Sequence, residues 1–115
     1  PSDRQALETL RAFAEERPFD GKLAFLLGNA YLELDRPAEA APWLQRAVRQ
    51  EPRWGEAHYN LALAYLGQKR LGDARQHLET AKLLAAGPGG GGVDAGLRGD
   101  CEAAITALES QRARN

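Results

Sequence analysis

The sequence predicts an all-α protein, in which antiparallel helix–turn–helix units stack into a superhelix of about six helices. Three observations lead to this prediction. A segment recurs at a fixed interval, apolar residues within it follow the period of a helix, and turn-forming residues separate the apolar runs. A short unit of this kind buries its apolar faces only against its neighbours, so the units must stack.

The recurring segment occupies residues 21–54 and again residues 55–88. Every identical pair has the separation of Tyr31 and Tyr65 (65 − 31 = 34). The identical pairs are Gly21/Gly55, Leu27/Leu61, Ala30/Ala64, Tyr31/Tyr65, Leu32/Leu66, Arg36/Arg70, Ala40/Ala74, Leu44/Leu78 and Ala47/Ala81. A fixed period of this length is the signature of a stacked-repeat protein.

Each unit is predicted to contain two helices. The two apolar faces of the first unit are Leu27, Ala30, Tyr31 and Leu34, then Ala40, Leu44, Ala47 and Val48. Pro37 separates them, because the residue before a proline avoids the helical conformation and proline suits a first helical turn. Asp20 is the expected N-cap of the first helix. The small residues Gly28 and Ala40 would let the two helices of the unit approach closely.

These units resemble the tetratricopeptide repeat. The landmark positions of that family are Leu27, Gly28, Tyr31, Ala40, Leu44, Ala47 and Pro52 in the first unit, and Leu61, Ala62, Tyr65, Ala74, Leu78 and Ala81 in the second. The sequence departs from the family at Ala24 and His58, where a tryptophan is usual, and at Ala86, where a proline usually closes the unit. The alternative is an unrelated helical bundle with a coincidental period.

Residues 1–18 are predicted to form a helix that starts at Ser2 or Asp3 as N-cap. Ala6, Leu10 and Phe13 precede Ala40, Leu44 and Ala47 by the same repeat interval. We therefore expect the second helix of a preceding repeat, with an independent N-terminal capping helix as the alternative.

Residues 87–93 form a glycine-rich stretch that is expected to be a flexible loop. It lacks the Gly-Lys-Ser/Thr ending of a phosphate-binding loop. It either replaces the first helix of a third repeat or tethers a C-terminal capping helix at residues 94–113, which is expected to fray from Gln111 onward. The apolar stripe of that last helix is Leu97, Cys101, Ala104, Ile105 and Leu108.

Composition narrows the possible partners. The 115 residues include 15 basic and 16 acidic side chains, for a net charge of −1, and no basic cluster. This argues against nucleic acid and against an anionic membrane surface as partners. No apolar run is long enough to cross a membrane, and no secretory signal is visible, which favours the cytoplasm. The chain opens with Pro1-Ser2 and has no methionine, so the question of whether a segment precedes it stays open.

No catalytic set is apparent, and the sequence is interpreted as non-enzymatic, without cofactor or metal. His58 is expected to pack against the neighbouring hairpin, and His77 to lie on the surface opposite Trp43. The two histidines are predicted on different helices, and no second pair of metal ligands accompanies them. Cys101 lies on an apolar stripe, where a lone cysteine usually acts as a small hydrophobic residue.

The resemblance implies that the first helix of each unit lines a concave groove. The positions that would face it are Lys22, Phe25, Leu26, Asn29, Leu32, Glu33, Glu56, Tyr59, Asn60, Leu63, Leu66 and Gly67. The residues expected to contact a partner are Lys22, Phe25, Leu26, Asn29, Glu56, Tyr59, Asn60 and Leu63. Members that grip a chaperone's C-terminal carboxylate carry a lysine where this chain has Phe25, which argues against that partner.

The expected function is a protein–protein interaction module, an adaptor or scaffold, that binds a peptide or a helix of a partner protein. Two alternatives remain at this stage. The chain is a structural or self-associating segment of a longer solenoid, or it is a regulatory domain attached to a separate catalytic domain.

Overall fold

The computed structural model describes residues 2–86 and 94–114, and this part of the chain contains six helices and no strand. The helices are α1 (Ser2–Glu15), α2 (Gly21–Glu33), α3 (Pro37–Gln50), α4 (Gly55–Gly67), α5 (Leu71–Ala86) and α6 (Ala95–Arg114). The predicted all-α superhelix is confirmed. The predicted glycine-rich loop at 87–93 lies outside the described residues.

Helices α2 and α3 pack together as one hairpin, and α4 and α5 as a second. The fully buried leucines are Leu27, Leu44, Leu61 and Leu78, one on each of these four helices. Gln45 Nε2 donates a hydrogen bond to the Tyr65 hydroxyl oxygen (2.6 Å), which joins the first hairpin to the second. The period of the sequence repeat is therefore the period of the core itself.

The two hairpins turn in the same way. Asp35 and Lys69, which are equivalent positions of the two units, both have positive φ (56° and 61°). Just after them, the Arg36 N–H donates to the Tyr31 carbonyl oxygen and the Arg70 N–H to the Tyr65 carbonyl oxygen, both at 2.9 Å. A left-handed residue closing a helix in this manner satisfies carbonyls that would otherwise lack a donor.

Arg36 and Arg70, which recur at equivalent positions, make similar contacts in these two turns. Arg36 forms two hydrogen bonds to the Glu39 carboxylate (2.6 and 2.7 Å), and Arg70 Nε donates to Asp73 (2.9 Å). The Arg70 guanidinium also lies over the Tyr65 ring, 4.5 Å from its centre. Each arginine thus ties the start of a second helix to the tyrosine of the first.

Helix α1 packs against α2 as α3 packs against α4, which is the place of a second helix. Of the three positions that match the repeat, only Leu10 faces the core, whereas Ala6 and Phe13 are exposed. Ala14 is the buried residue at this end instead. The helix already includes Ser2 and Asp3, so the prediction of either one as its N-cap was wrong.

Helix α6 starts later than the repeat period requires. The starts of α4 and α6 are further apart (95 − 55 = 40) than those of α2 and α4 (55 − 21 = 34). Helix α6 nevertheless packs against α5 and α4, as α4 packs against α3 and α2, and so takes the place of a third first helix. The Asp94 carboxylate accepts a hydrogen bond from the Leu97 N–H (2.9 Å) and caps it. The helix continues to Arg114, past the point where fraying was expected.

Candidate protein-binding face

We use the term inner face for the part of α2, α4 and α6 that is not packed against α3 and α5. The predicted residues differ widely in accessibility there. The exposed ones are Lys22, Leu26, Glu33, Glu56 and Gly67. The half-buried ones are Asn29, Leu32, Tyr59, Leu63 and Leu66, and the buried ones are Phe25 and Asn60.

Phe25 is buried, and it contributes to the inner face mainly by positioning the start of α4. Its ring lies against Trp54, with ring centres 4.3 Å apart, and only 9% of the residue is exposed. Trp54 is the N-cap residue of α4, so this contact fixes where α4 starts relative to α2. Trp54 was not anticipated as part of the face, because it lies in a loop and matches Asp20, a residue of different chemistry, in the preceding unit.

Asn29 and Asn60 contact each other across the two first helices. The Asn60 amide nitrogen donates to the Asn29 oxygen (3.3 Å), and the Asn29 amide nitrogen donates to the Glu33 carboxylate (3.5 Å). Asn60 is 8% exposed, so its orientation is held by packing as well. The structure therefore brings the two predicted asparagines together in one ordered row that ends at a carboxylate.

Tyr59 lies where α4 meets α6. Burial raises the pKa of its hydroxyl, and the negative charge of Asp100 and the nearby Cys101 raise it further. Asp100 was not predicted as part of this face, because the different spacing of α6 hides its correspondence with Asn60 (60 + 40 = 100). Sequence reasoning had no signal for it other than that shifted register.

Cys101 behaves as expected of a buried thiol. It has no exposed surface, and burial followed by neighbouring carboxylates raises its pKa to about 11. A thiol with so high a pKa stays protonated at neutral pH and is a poor nucleophile. The interpretation of Cys101 as a small hydrophobic residue is consistent with this environment.

His58 is buried, as the sequence predicted, but His77 does not lie where the sequence predicted. His77 is half-buried, not on the surface, and its Nδ1 lies 3.0 Å from Nδ1 of His58. His58 Nε2 donates to the Pro52 carbonyl oxygen (2.9 Å), so neutral His58 accepts at Nδ1 and His77 donates there. The prediction for His77 was wrong because spacing along α5 does not reveal that His58 on α4 faces it.

The end of the stack at α1 and α2 exposes apolar surface. Leu26 is 56% exposed and Ala30 is half-buried, whereas their counterparts Asn60 and Ala64 are buried against α2. A cavity of about 370 Å³ lies beside Ala30, between α1 and α2. It is lined by Ala6, Leu7, Leu10, Ala30, Glu33 and Leu34. We call this surface the end face.

In the described ranges 2–86 and 94–114, no group of three or more histidine, cysteine, aspartate or glutamate side chains could hold a metal ion. Nor is any helix of those ranges both long and apolar enough to cross a membrane.

The fold and this face together define a helical-repeat protein built from stacked hairpins. Two family models described as tetratricopeptide repeat match residues 4–53 and 36–88. The chain therefore belongs to the tetratricopeptide repeat family, whose members generally serve as non-catalytic protein-interaction modules.

A solved structure described as the MamA RS-1 ArsTM double mutant has a similar fold. It is 17% identical, with a TM-score of 0.65, and the match covers 99% of this chain and 70% of that one. At this level of identity the likeness shows the fold alone. A comparison with curated protein sequences gives no significant match.

Proposed function

We propose that the chain is a non-catalytic protein–protein interaction module that binds a peptide or helix of a partner protein on the inner face. The observation that carries this proposal is the row from Asn60 through Asn29 to Glu33, flanked by the half-exposed Tyr59 and Leu63. These side chains are held in place before any ligand arrives, which lowers the entropic cost of binding.

The mixture of groups suits a polypeptide. Aromatic and aliphatic side chains supply anchors, and amide groups form hydrogen bonds with a peptide backbone. Tyr59 and Leu63 are one helical turn apart on one side of α4, and both are half-buried. Leu26 extends the apolar surface towards the end face. Phe25 contributes indirectly, by holding Trp54 and the start of α4.

The test is selection from a random-peptide library displayed on phage, with the whole chain as bait, followed by titration of the selected peptides in solution. Tyr59→Ala and Leu63→Ala are each expected to weaken binding by about 1–2 kcal/mol. Arg49→Ala, on the outer side of α3, is the matched control and should bind normally. Normal binding by both inner-face variants, with a loss in Arg49→Ala, would move the contact to the outer surface.

The end face supports a second candidate function, self-association or stacking within a longer solenoid. Exposed Leu34 lines a cavity between α1 and α2, and Leu26 on α2 and Phe13 on α1 are 56% and 42% exposed. Sedimentation velocity at increasing protein concentration tests this. A sedimentation coefficient that rises with concentration in the unaltered chain, and not in Leu26→Lys, would support it, whereas a constant value in both would exclude it.

A further inference from the structure

The carboxylates of the inner face differ from those on the outer helices in having no cationic partner. On α1, α3 and α5 the acidic side chains pair with arginine, as in Arg4–Glu8, Arg36–Glu39 and Arg75–Glu79. Among the described residues, no ion pair is formed by Glu33, Glu56 or Asp100. All three are exposed, and Lys22 is the basic residue on the same face.

We propose that the inner face binds a partner segment that carries lysine or arginine side chains, held by Glu33, Glu56 and Asp100. This inference rests on the proposed function, because it names the chemistry of the ligand for the same face. Three carboxylates and one ammonium group leave a local charge of −2 (3 × −1 + 1). This local negative charge is larger than the net charge of the whole chain, which is −1.

The hydrogen bonds around Glu33 agree with the same class of ligand. In the row from Asn60 to Asn29 to Glu33, each amide nitrogen donates towards the carboxylate. The groups left for a ligand at the end of the row are carboxylate oxygens, which only accept. Lysine and arginine side chains are donors without any acceptor, so they match this polarity as well as the charge.

The third carboxylate is placed by the packing of α6. Asp100 lies near Tyr59, and its negative charge raises the pKa of the Tyr59 hydroxyl after the larger effect of burial. The Tyr59 hydroxyl therefore remains protonated and uncharged at neutral pH. An aromatic ring beside a carboxylate also suits a guanidinium or ammonium group, which is attracted to both.

The carboxylates are spread along the face. Glu56 lies at the start of α4, and Glu33 lies at the end of α2. Each of these helices has 13 residues and is therefore about 20 Å long. Asp100 lies in the first half of α6. The spacing favours a segment with basic side chains distributed along it over a single terminal charge.

The experiment uses the random-peptide phage library with the whole chain as bait, and then titrates the most enriched synthetic peptide by fluorescence anisotropy. The variants are Glu33→Gln, Glu56→Gln, Asp100→Asn and their combination. Asp35→Asn is the matched control, because Asp35 is also an exposed carboxylate but lies in the α2–α3 turn, where asparagine tolerates the positive φ.

Enriched peptides should carry a net positive charge. Each single variant should weaken binding about 2- to 5-fold, the combination should weaken it further, and Asp35→Asn should leave it unchanged. Lys22→Gln should strengthen binding, and added NaCl should weaken it.

Neutral or acidic peptides that lose affinity in Tyr59→Ala but not in the combined carboxylate variant would overturn this inference and leave the proposed function standing. Peptides unaffected by Tyr59→Ala, Leu63→Ala and the combined variant would overturn both, as would a library that yields no binder.

Discussion

Gly28 of α2 packs directly against Leu44 of α3, so closely that a Cβ built on Gly28 would lie 2.5 Å from Cγ of Leu44. Alanine occupies the matching position, Ala62, and is fully buried in the second hairpin. Gly28→Ala is expected to destabilise the fold by about 1–3 kcal/mol through overpacking, although alanine favours helices. Urea unfolding followed by circular dichroism measures this.

Gly99→Ala is the control for Gly28→Ala. Gly99 is also inside a helix, but beyond its chain neighbours and the nearby backbone of its own helix no atom lies within 4 Å of a Cβ built on it. This substitution should therefore stabilise the protein, by up to about 1 kcal/mol. The same sign of change in both variants would contradict the close contact between α2 and α3.

Lys69 adopts the left-handed conformation at the α4–α5 turn, with φ of 61°. Lys69→Gly should stabilise the protein by about 0.5–1 kcal/mol, because glycine lacks the steric penalty but has more freedom to lose on folding. Lys69→Ala removes the same charge and keeps the penalty, so it should give no gain. Equal gains in thermal denaturation would trace the effect to the charge instead of the backbone.

The contact between His58 and His77 predicts a loss of stability in mild acid. Burial, followed by the neighbouring His58, lowers the pKa of His77 from its ordinary 6.5, with Asp73 acting in the opposite direction. The folded state thus favours neutral His77. Its contribution is complete above pH 6.5 and is lost as the pH falls below that value, because the unfolded chain then binds the proton more readily.

The measurement is the free energy of unfolding from about pH 7.5 down to about pH 5.5, the range in which histidine changes charge. His77→Gln keeps an N–H donor for His58 Nδ1 but does not titrate, so its stability should vary less over this range. Parallel curves for the two proteins would show that His77 contributes nothing to the pH dependence.

Helix α6 packs against α5 and α4, where its own Cys101 and Ile105 are buried and its Leu97 lies near Gly55. Ending the chain after residue 86 should expose a few hundred Å² of apolar surface and cost several kcal/mol, at about 25 cal/mol per Å². A domain of this size has only about 5–15 kcal/mol to lose, so the shortened protein should aggregate or melt at a much lower temperature.

The matched control for this deletion ends the chain after Ser110, which removes only exposed helix and the last residue. Differential scanning calorimetry should show little change in its melting temperature. If the chain ending at residue 86 melts like the full chain, α6 is an attached helix and does not cap the stack.

Much of the fold follows from local pattern. Pro37 sets the start of α3 and Asp20 caps α2 through a hydrogen bond from the Leu23 N–H (3.0 Å), as expected. Both effects depend on backbone chemistry within a few residues. The positions that form the candidate face were predictable from the sequence, but the burial of each side chain there was not. Phe25 was expected to contact a ligand, and its burial against Trp54 depends on a residue at the opposite end of the same repeat unit.

The sequence by itself determined the helices, the hairpins and the order of stacking, because a repeated unit that cannot bury its own apolar faces has one consistent way to do so. Only the tertiary structure decided that His77 meets His58, that α6 takes the place of a third first helix, and that Asp100 joins the inner face. Helical period tells which side chains share a side of a helix. Which residues cover that side depends on the neighbouring helices. Their positions are set by the packing between hairpins and by the shifted spacing before α6.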